Sequence, residues 1–246
     1  MKLVFQGHRV LIAGGTCDLA LCLAESLIEE GLHPILTWRS EEGENRIVER
    51  LRPFEGQFDT AWLDLSQRAS IESLFTHVGD DLDYLVDFAQ GDFESLIGSA
   101  DPELIRRYFS ENVSSRAELL RRAARSMLRK RRGRMVFVSS AAVLRSNPGQ
   151  GFYAAAKTAS EALYRNLGIE LAKRGITTVS LRPGYVDAGR GARYIESRKE
   201  MLADSPLGRS LRPEEVAEAI LFFLSDHAIA FNATEICMDG GFATAK

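Results

Sequence analysis

Residues 9–20 read Arg9-Val10-Leu11-Ile12-Ala13-Gly14-Gly15-Thr16-Cys17-Asp18-Leu19-Ala20. An apolar run of strand length stops at two glycines, and a helical stretch near Leu19–Glu30 begins at once. The same alternation continues to the end of the chain. Pro34–Trp38 reads as a second strand, followed by a polar helix around Glu44–Leu51. Thr60–Leu65 and Leu82–Ala89 supply two more strands, with a short helix Ile71–Val78 between them. Glu103–Arg132 is mostly helical, Met135–Ser139 is a strand, and a helix carrying Tyr153 runs to about Arg174. Ile176–Leu181 and Glu235–Met238 close the series around the helix Pro213–Leu224. About seven strands alternating with helices predict a parallel sheet covered on both faces, an α/β doubly wound fold. No repeat, low-complexity tract or interdomain linker interrupts it, so residues 1–246 are read as a single domain.

With 246 residues, 45% of them hydrophobic and 26% charged, the chain has the means to bury one large core. Its net charge of −3 gives no general case for nucleic-acid binding. Cys17, Cys22 and Cys237 lack metal-ligand spacing, and their odd number argues against a disulfide framework. No metal site is expected. No signal peptide follows from Leu3–Phe5, and no apolar stretch reaches the about eighteen residues of a membrane span. A cytoplasmic protein without membrane association is the expectation.

The chemistry is carried by Gly151-Phe152-Tyr153-Ala154-Ala155-Ala156-Lys157, with Ser140 thirteen residues before Tyr153 at the end of the run Met135–Val138. Positions i and i+4 share a helix face, so the phenol and the ammonium point into one site. A neighbouring ammonium favours phenolate and lowers a tyrosine pKa from about 10 toward the range of an acid–base catalyst. A serine hydroxyl at a strand end holds a carbonyl oxygen beside that phenol. Such a group protonates an alkoxide as hydride arrives, or deprotonates an alcohol as hydride leaves. Open α/β sheets bind ligands beyond the carboxyl ends of their strands. There the helix start after Gly14 offers N–H groups and a positive dipole end to a pyrophosphate. At the end of the second strand, Leu36-Thr37-Trp38-Arg39-Ser40 has no acid for the ribose hydroxyls of NAD. Arg39, with Ser40 or Thr16, instead suits a 2′-phosphate, so NADPH is expected ahead of NADH, although Glu41, Glu42 and Glu44 follow closely.

Asn112, Ser140, Tyr153 and Lys157, with the stretches Val10–Ala24, Asp83–Gly91, Gly133–Lys157, Arg174–Val186 and Arg212–Phe242, resemble the short-chain dehydrogenase/reductase family over nearly the whole chain. The nearest likeness is to 3-oxoacyl-[acyl-carrier-protein] reductases and polyketide ketoreductases. The resemblance implies a Rossmann-type fold and a catalytic tetrad of Asn112, Ser140, Tyr153 and Lys157. Tyr153 is then the general acid of ketone reduction, and Ser140 orients the carbonyl and steadies its developing charge. Lys157 lowers the Tyr153 pKa and bonds the nicotinamide ribose, while Asn112 holds a water that relays protons to Lys157. Beside Arg39, the implied cofactor contacts are Gly14, Thr16, Cys17, Asp18 and Leu19 in the first turn and Asp64 and Leu65 at the adenine. Ala89 lies at the ribose, and Pro183, Gly184 and Val186 flank the nicotinamide.

The chain also departs from the family pattern. Ala13, Asp18 and Ala20 stand where a threonine and two glycines are usual, and Cys17 where many NADPH-dependent relatives have a basic residue. Asp18 repels a pyrophosphate unless it caps the helix and points away. Asp87-Phe88-Ala89-Gln90 occupies the place of Asn-Asn-Ala-Gly, and Ala188 that of a threonine. Residues 188–211, with Tyr194, Ile195, Met201, Leu202 and Leu207, read either as a mobile substrate lid favouring an acyl chain or as a surface helix. The basic run Arg121–Arg134 reads as a rim beside the mouth of the site, with Arg131 and Arg174 at places where carrier-protein reductases dock an acidic carrier. Solvated helix ends explain the run equally, and its lack of interleaved aromatics disfavours nucleic acid. The expectation is NADPH-dependent reduction of a 3-oxoacyl thioester on an acyl carrier protein. The resemblance also implies a homotetramer built on the Glu103–Arg132 and Tyr153–Arg174 helices. Two other readings stay open: an oxidoreductase of a free small ketone or alcohol, and a non-catalytic subunit or nucleotide sensor.

Overall fold

The computed structural model describes residues 2–79, 81–196, 202 and 205–244. Its strands are β1 (Arg9–Ala13), β2 (His33–Trp38), β3 (Asp59–Trp62), β4 (Tyr84–Asp87), β5 (Gly133–Val138), β6 (Ile176–Pro183) and β7 (Thr234–Met238). They form one seven-stranded sheet in the order β3-β2-β1-β4-β5-β6-β7, and every neighbouring pair is parallel. Parallel neighbours require crossover connections. Those are supplied by α1 (Asp18–Glu29), α2 (Glu41–Arg50), α3 (Arg68–Val78), α4 (Pro102–Phe109), α5 (Ser115–Lys130), α6 (Gly151–Leu171) and α8 (Pro213–Leu224), while α7 (Gly189–Glu196) follows β6.

Strand alternation divides the core into two layers. Val10 and Ile12 pack with Leu23 and Leu27 of α1 and with Val216 and Ile220 of α8. Leu11 and Ala13 belong to the opposite layer, with Leu74 of α3, Leu119 and Ala123 of α5, and Tyr164 of α6. Local chemistry starts the helices. Asp101 accepts from the N–H groups of Glu103 and Leu104 ahead of Pro102, and Glu215 reaches back to the Arg212 N–H behind Pro213.

Three expected elements differ in detail. The helix of 103–132 is interrupted by a π turn, Ser110–Ser114, which buries Asn112. The third strand stops at Trp62 and the fourth at Asp87, because their next carboxylates bend the chain: Asp64 accepts from the Ser66 N–H and Asp87 from the Ala89 N–H. In the anticipated lid, α7 occupies the first part, while residues 197–201, 203 and 204, Met201 among them, lie outside the described residues. Among the described residues no helix is long and apolar enough to cross a membrane. The chain changes direction across the sheet between β1 and β4, and the loops after these strands open a crevice at their carboxyl ends.

Candidate active site

A cavity of about 280 Å³ fills that crevice. Its walls unite Ser140, Tyr153 and Lys157 with Cys17–Leu19 from the first turn and Pro183–Val186 after β6. The far wall is aromatic: Tyr185 stacks on Tyr194 at 5.6 Å and meets Phe242 edge-on at 5.1 Å.

β5 delivers Ser140 and α6 delivers the other two. The Ser140 hydroxyl oxygen accepts from the Ala142 N–H at 3.1 Å and lines the same cavity as Tyr153. One helical turn further on, Lys157 is 2% exposed and its Nζ donates to the Val138 carbonyl at 2.7 Å. That nitrogen lies 4.7 Å from the Phe137 ring centroid and 5.8 Å from that of Tyr153. Burial, assisted by the charge of Arg116 and opposed by Asp87, pushes the Lys157 ammonium down to about 7. Enclosure by the pocket pushes the Tyr153 hydroxyl above its ordinary value, against the Ser140 hydrogen bond and the charge of Arg116. The expected lowering of Tyr153 by Lys157 is therefore corrected: the amine is turned to a β5 carbonyl and burial depletes its charge. At neutral pH Tyr153 carries its proton, the form a general acid needs.

Asn112 lies behind this wall. Its Oδ1 accepts from the Gly91 N–H at 2.8 Å, its Nδ2 donates to the Tyr108 carbonyl at 2.9 Å, and its carbonyl accepts from Arg116. The expected relay water thus meets an asparagine whose side chain and carbonyl already have protein partners. Arg116 was not foreseen. It is fully buried, and its Nε donates to Asp87 Oδ2 at 2.8 Å. Tyr164 donates to the same oxygen at 3.0 Å. The departure at Asp87 is thereby explained: a carboxylate in the core has found a buried guanidinium.

The first turn fits a dinucleotide. Gly14 has φ +78°, and a Cβ there would lie 2.8 Å from the Ala89 nitrogen. On Gly15 it would lie 2.8 Å from the Thr37 nitrogen. Both approaches demand glycine and leave a cradle lined by backbone. Thr37, another residue sequence reasoning missed, holds the cradle by accepting from the Gly14 N–H at 2.9 Å. Cys17, not Asp18, occupies the N-cap of α1, without a side-chain cap bond, so the N–H groups of the first turn remain for a pyrophosphate. Asp18 sits in that first turn and its carboxylate pairs with Arg46 of α2. This corrects the capping expectation: neutralisation across two helices, rather than capping, answers the repulsion.

Arg39 is exposed at the carboxyl end of β2 and has no salt-bridge partner among the described residues. Ser40 is engaged locally, accepting from the Gly43 N–H at 3.4 Å. Burial would raise the Asp64 pKa, but bonds from Ser66 and Gln67 and the Arg39 charge outweigh it and hold the carboxyl below its usual range. Leu65 packs on the α3 layer. The Gly184 N–H donates to the Met238 carbonyl at 2.9 Å, and Val186 bridges Leu211, which orders the turn after β6.

The anticipated docking arginines lie elsewhere. Arg131 ends α5 and Arg174 precedes β6, so both stand at the amino ends of β5 and β6, roughly 20 Å from the cavity by strand length. The expected rim beside the mouth is corrected accordingly. Much of the basic run is also neutralised: Arg121 and Arg122 by Glu118, Lys130 and Arg132 by Asp83, and Arg134 by Asp226.

The sequence profile described as Enoyl-(Acyl carrier protein) reductase matches residues 16–243. The 3-oxoacyl-[acyl-carrier-protein] reductase FabG of Escherichia coli (strain K12) is 30% identical, the match covering 96% of this chain and 98% of the relative. A short-chain type dehydrogenase/reductase from Mycobacterium ulcerans superposes with a TM-score of 0.90 at 26% identity, covering 99% of this chain and 92% of that one. A variant of actinorhodin polyketide ketoreductase, solved with NADPH, superposes with a TM-score of 0.89 at 25% identity, covering 96% of this chain and 97% of that one.

Proposed function

Since the chain belongs to the short-chain dehydrogenase/reductase family, whose members are oxidoreductases using a nicotinamide cofactor, we propose that it is an NADPH-dependent ketoreductase acting on a 3-oxoacyl thioester. The convergence of Ser140, Tyr153 and Lys157 on one cavity, beside the Gly14 cradle, carries this reading. The cradle, Arg39 and the turn at Pro183 would hold NADPH, which supplies the hydride when bound. Tyr153 donates its proton to the substrate oxygen, Ser140 orients that oxygen, and Lys157 lies one turn away to hold the ribose. The same reading carries the implied acyl carrier protein as substrate donor and assembly into a homotetramer through α5 and α6. The resemblance to the E. coli reductase supports the carrier, while the position of Arg131 and Arg174 favours a second reading, a free ketone seated against Tyr185 and Phe242.

The deciding experiment measures NADPH and NADH oxidation with acetoacetyl thioester, free as the coenzyme A ester and carrier-bound. Turnover with NADPH is expected, and Tyr153→Phe lowers kcat by about 10²–10⁴-fold. Equal efficiency on both thioesters would move the free-substrate reading forward. No turnover, together with no NADPH binding, would leave the non-catalytic subunit in its place.

A further inference from the structure

Among the described residues Arg116 is the largest side chain wholly withdrawn from solvent, and a charge buried there must be paired and hydrogen-bonded. Its guanidinium joins four parts of the molecule. It bonds Asp87 at the end of β4, the Ala89 carbonyl in the next loop, the Asn112 carbonyl in the π turn, and Ser160 of α6 at 2.9 Å. The Ala89 backbone is also the wall against which Gly14 is pressed. On its other side Arg116 faces the catalytic pair: its Cζ lies 5.0 Å from the Phe137 centroid, and Lys157 Nζ lies 4.7 Å from the same centroid. The fixed guanidinium and the Lys157 ammonium, whenever it is protonated, then interact appreciably across one ring in a water-poor interior.

We infer that Arg116, anchored by Asp87, is a positioning residue for this site: it fastens the loop 87–91 of the cofactor cradle to the Asn112 turn, and its fixed charge sets the field at Lys157 and Tyr153. The inference rests on the reductase reading for its cofactor, but not for its charge. The groups facing Lys157 are Arg116 from α5, Asp87 from β4, Glu161 from its own helix and Cys17 from the first turn. Glu161 is already matched by Arg182 at 2.7 Å, and Asp87 weighs less than Arg116. Facing Tyr153 are Ser140, Arg116 and, opposing them, Glu94. Arg116 therefore acts on both acids in one direction, easing loss of their protons.

Carbon-13 NMR of protein labelled at the lysine ε-carbon tests this without turnover, since the chain has six lysines and Lys157→Met assigns the relevant signal. The paired variant Asp87→Asn/Arg116→Met removes both charges and leaves neither stranded. Its Lys157 midpoint is expected to rise by about half a pH unit or more. Arg116→Lys keeps the charge but loses the fork. It should leave that midpoint below the ordinary lysine range and weaken NADPH, followed by fluorescence, about threefold or more. A Lys157 midpoint unmoved in the paired variant, whatever its melting temperature, overturns the role of the charge. Unchanged NADPH affinity in Arg116→Lys overturns the positioning role. If the paired variant does not fold, a Lys157 midpoint restored to the ordinary lysine range in Arg116→Lys overturns the charge role instead. Failure of the parent protein to bind NADPH would defeat the reductase reading while leaving the lysine titration to decide the charge.

Discussion

Lys157 is where burial and charge compete most directly. A lysine pushed down to about 7 in the folded chain resists carrying its charge there. Below that pH the fold bears the whole cost of the buried ammonium. Between it and the ordinary lysine value, the unfolded chain holds a proton that the folded chain has lost, so stability from this group rises with pH. Lys157→Met should accordingly stabilise the protein by about 2 kcal/mol at pH 6, with the gain gone by about pH 10, as urea titrations at both pH values would register. Gly14→Ala is the opposite case. With φ at +78° and Ala89 backbone 2.8 Å from the added carbon, it should cost about 1–3 kcal/mol and abolish binding of the nicotinamide cofactor, measurable by melting and fluorescence titration. Ser140, Tyr153, Lys157 and Gly14 were legible from the sequence because spacing and residue type are enough to place them on an element. The state of Lys157 was not, because a pKa depends on which atoms exclude water.

Between elements, carboxylates are the fasteners. Asp83 accepts from the N–H groups of His8 and Arg9 at 2.8 and 3.1 Å and from Lys130 and Arg132 at 2.8 Å each, tying the entrance of β1 to the end of α5. Burial would raise its pKa, but these bonds outweigh that and hold it far below the usual aspartate range. A depressed acid contributes fully above its unfolded value and loses that contribution as pH falls toward the folded one. Asp83→Asn should therefore cost about 2–4 kcal/mol at pH 7 and flatten the stability loss seen below about pH 4, checked by denaturant titration across that range. The π turn belongs to the same scale. Nothing in Glu103–Arg132 marks Ser110–Ser114 as a break, since the Gly91 N–H that bonds the buried Asn112 amide oxygen lies outside that stretch.

At the scale of the whole molecule, the parallel sheet has two unlike ends. The cavity occupies the carboxyl ends, whereas Arg131 and Arg174 stand at the amino ends. If a carrier docks on those arginines, Arg131→Glu/Arg174→Glu should lower kcat/KM for carrier-bound acetoacetyl thioester about tenfold and leave the coenzyme A ester within about twofold. Steady-state kinetics on both substrates would show it, and equal losses would mean that the pair supports the fold alone. The alternation of strand and helix, the glycine turn and the tyrosine–lysine face were determined by sequence alone, because each rests on residues a few positions apart. The tertiary structure alone decided how the charges are answered. Asp18 meets Arg46 across 28 positions, Asp87 meets Arg116 across 29, and Asp83 meets the His8 N–H across 75. A buried charge dictates that it must have a partner, but only the packing of distant elements dictates which one.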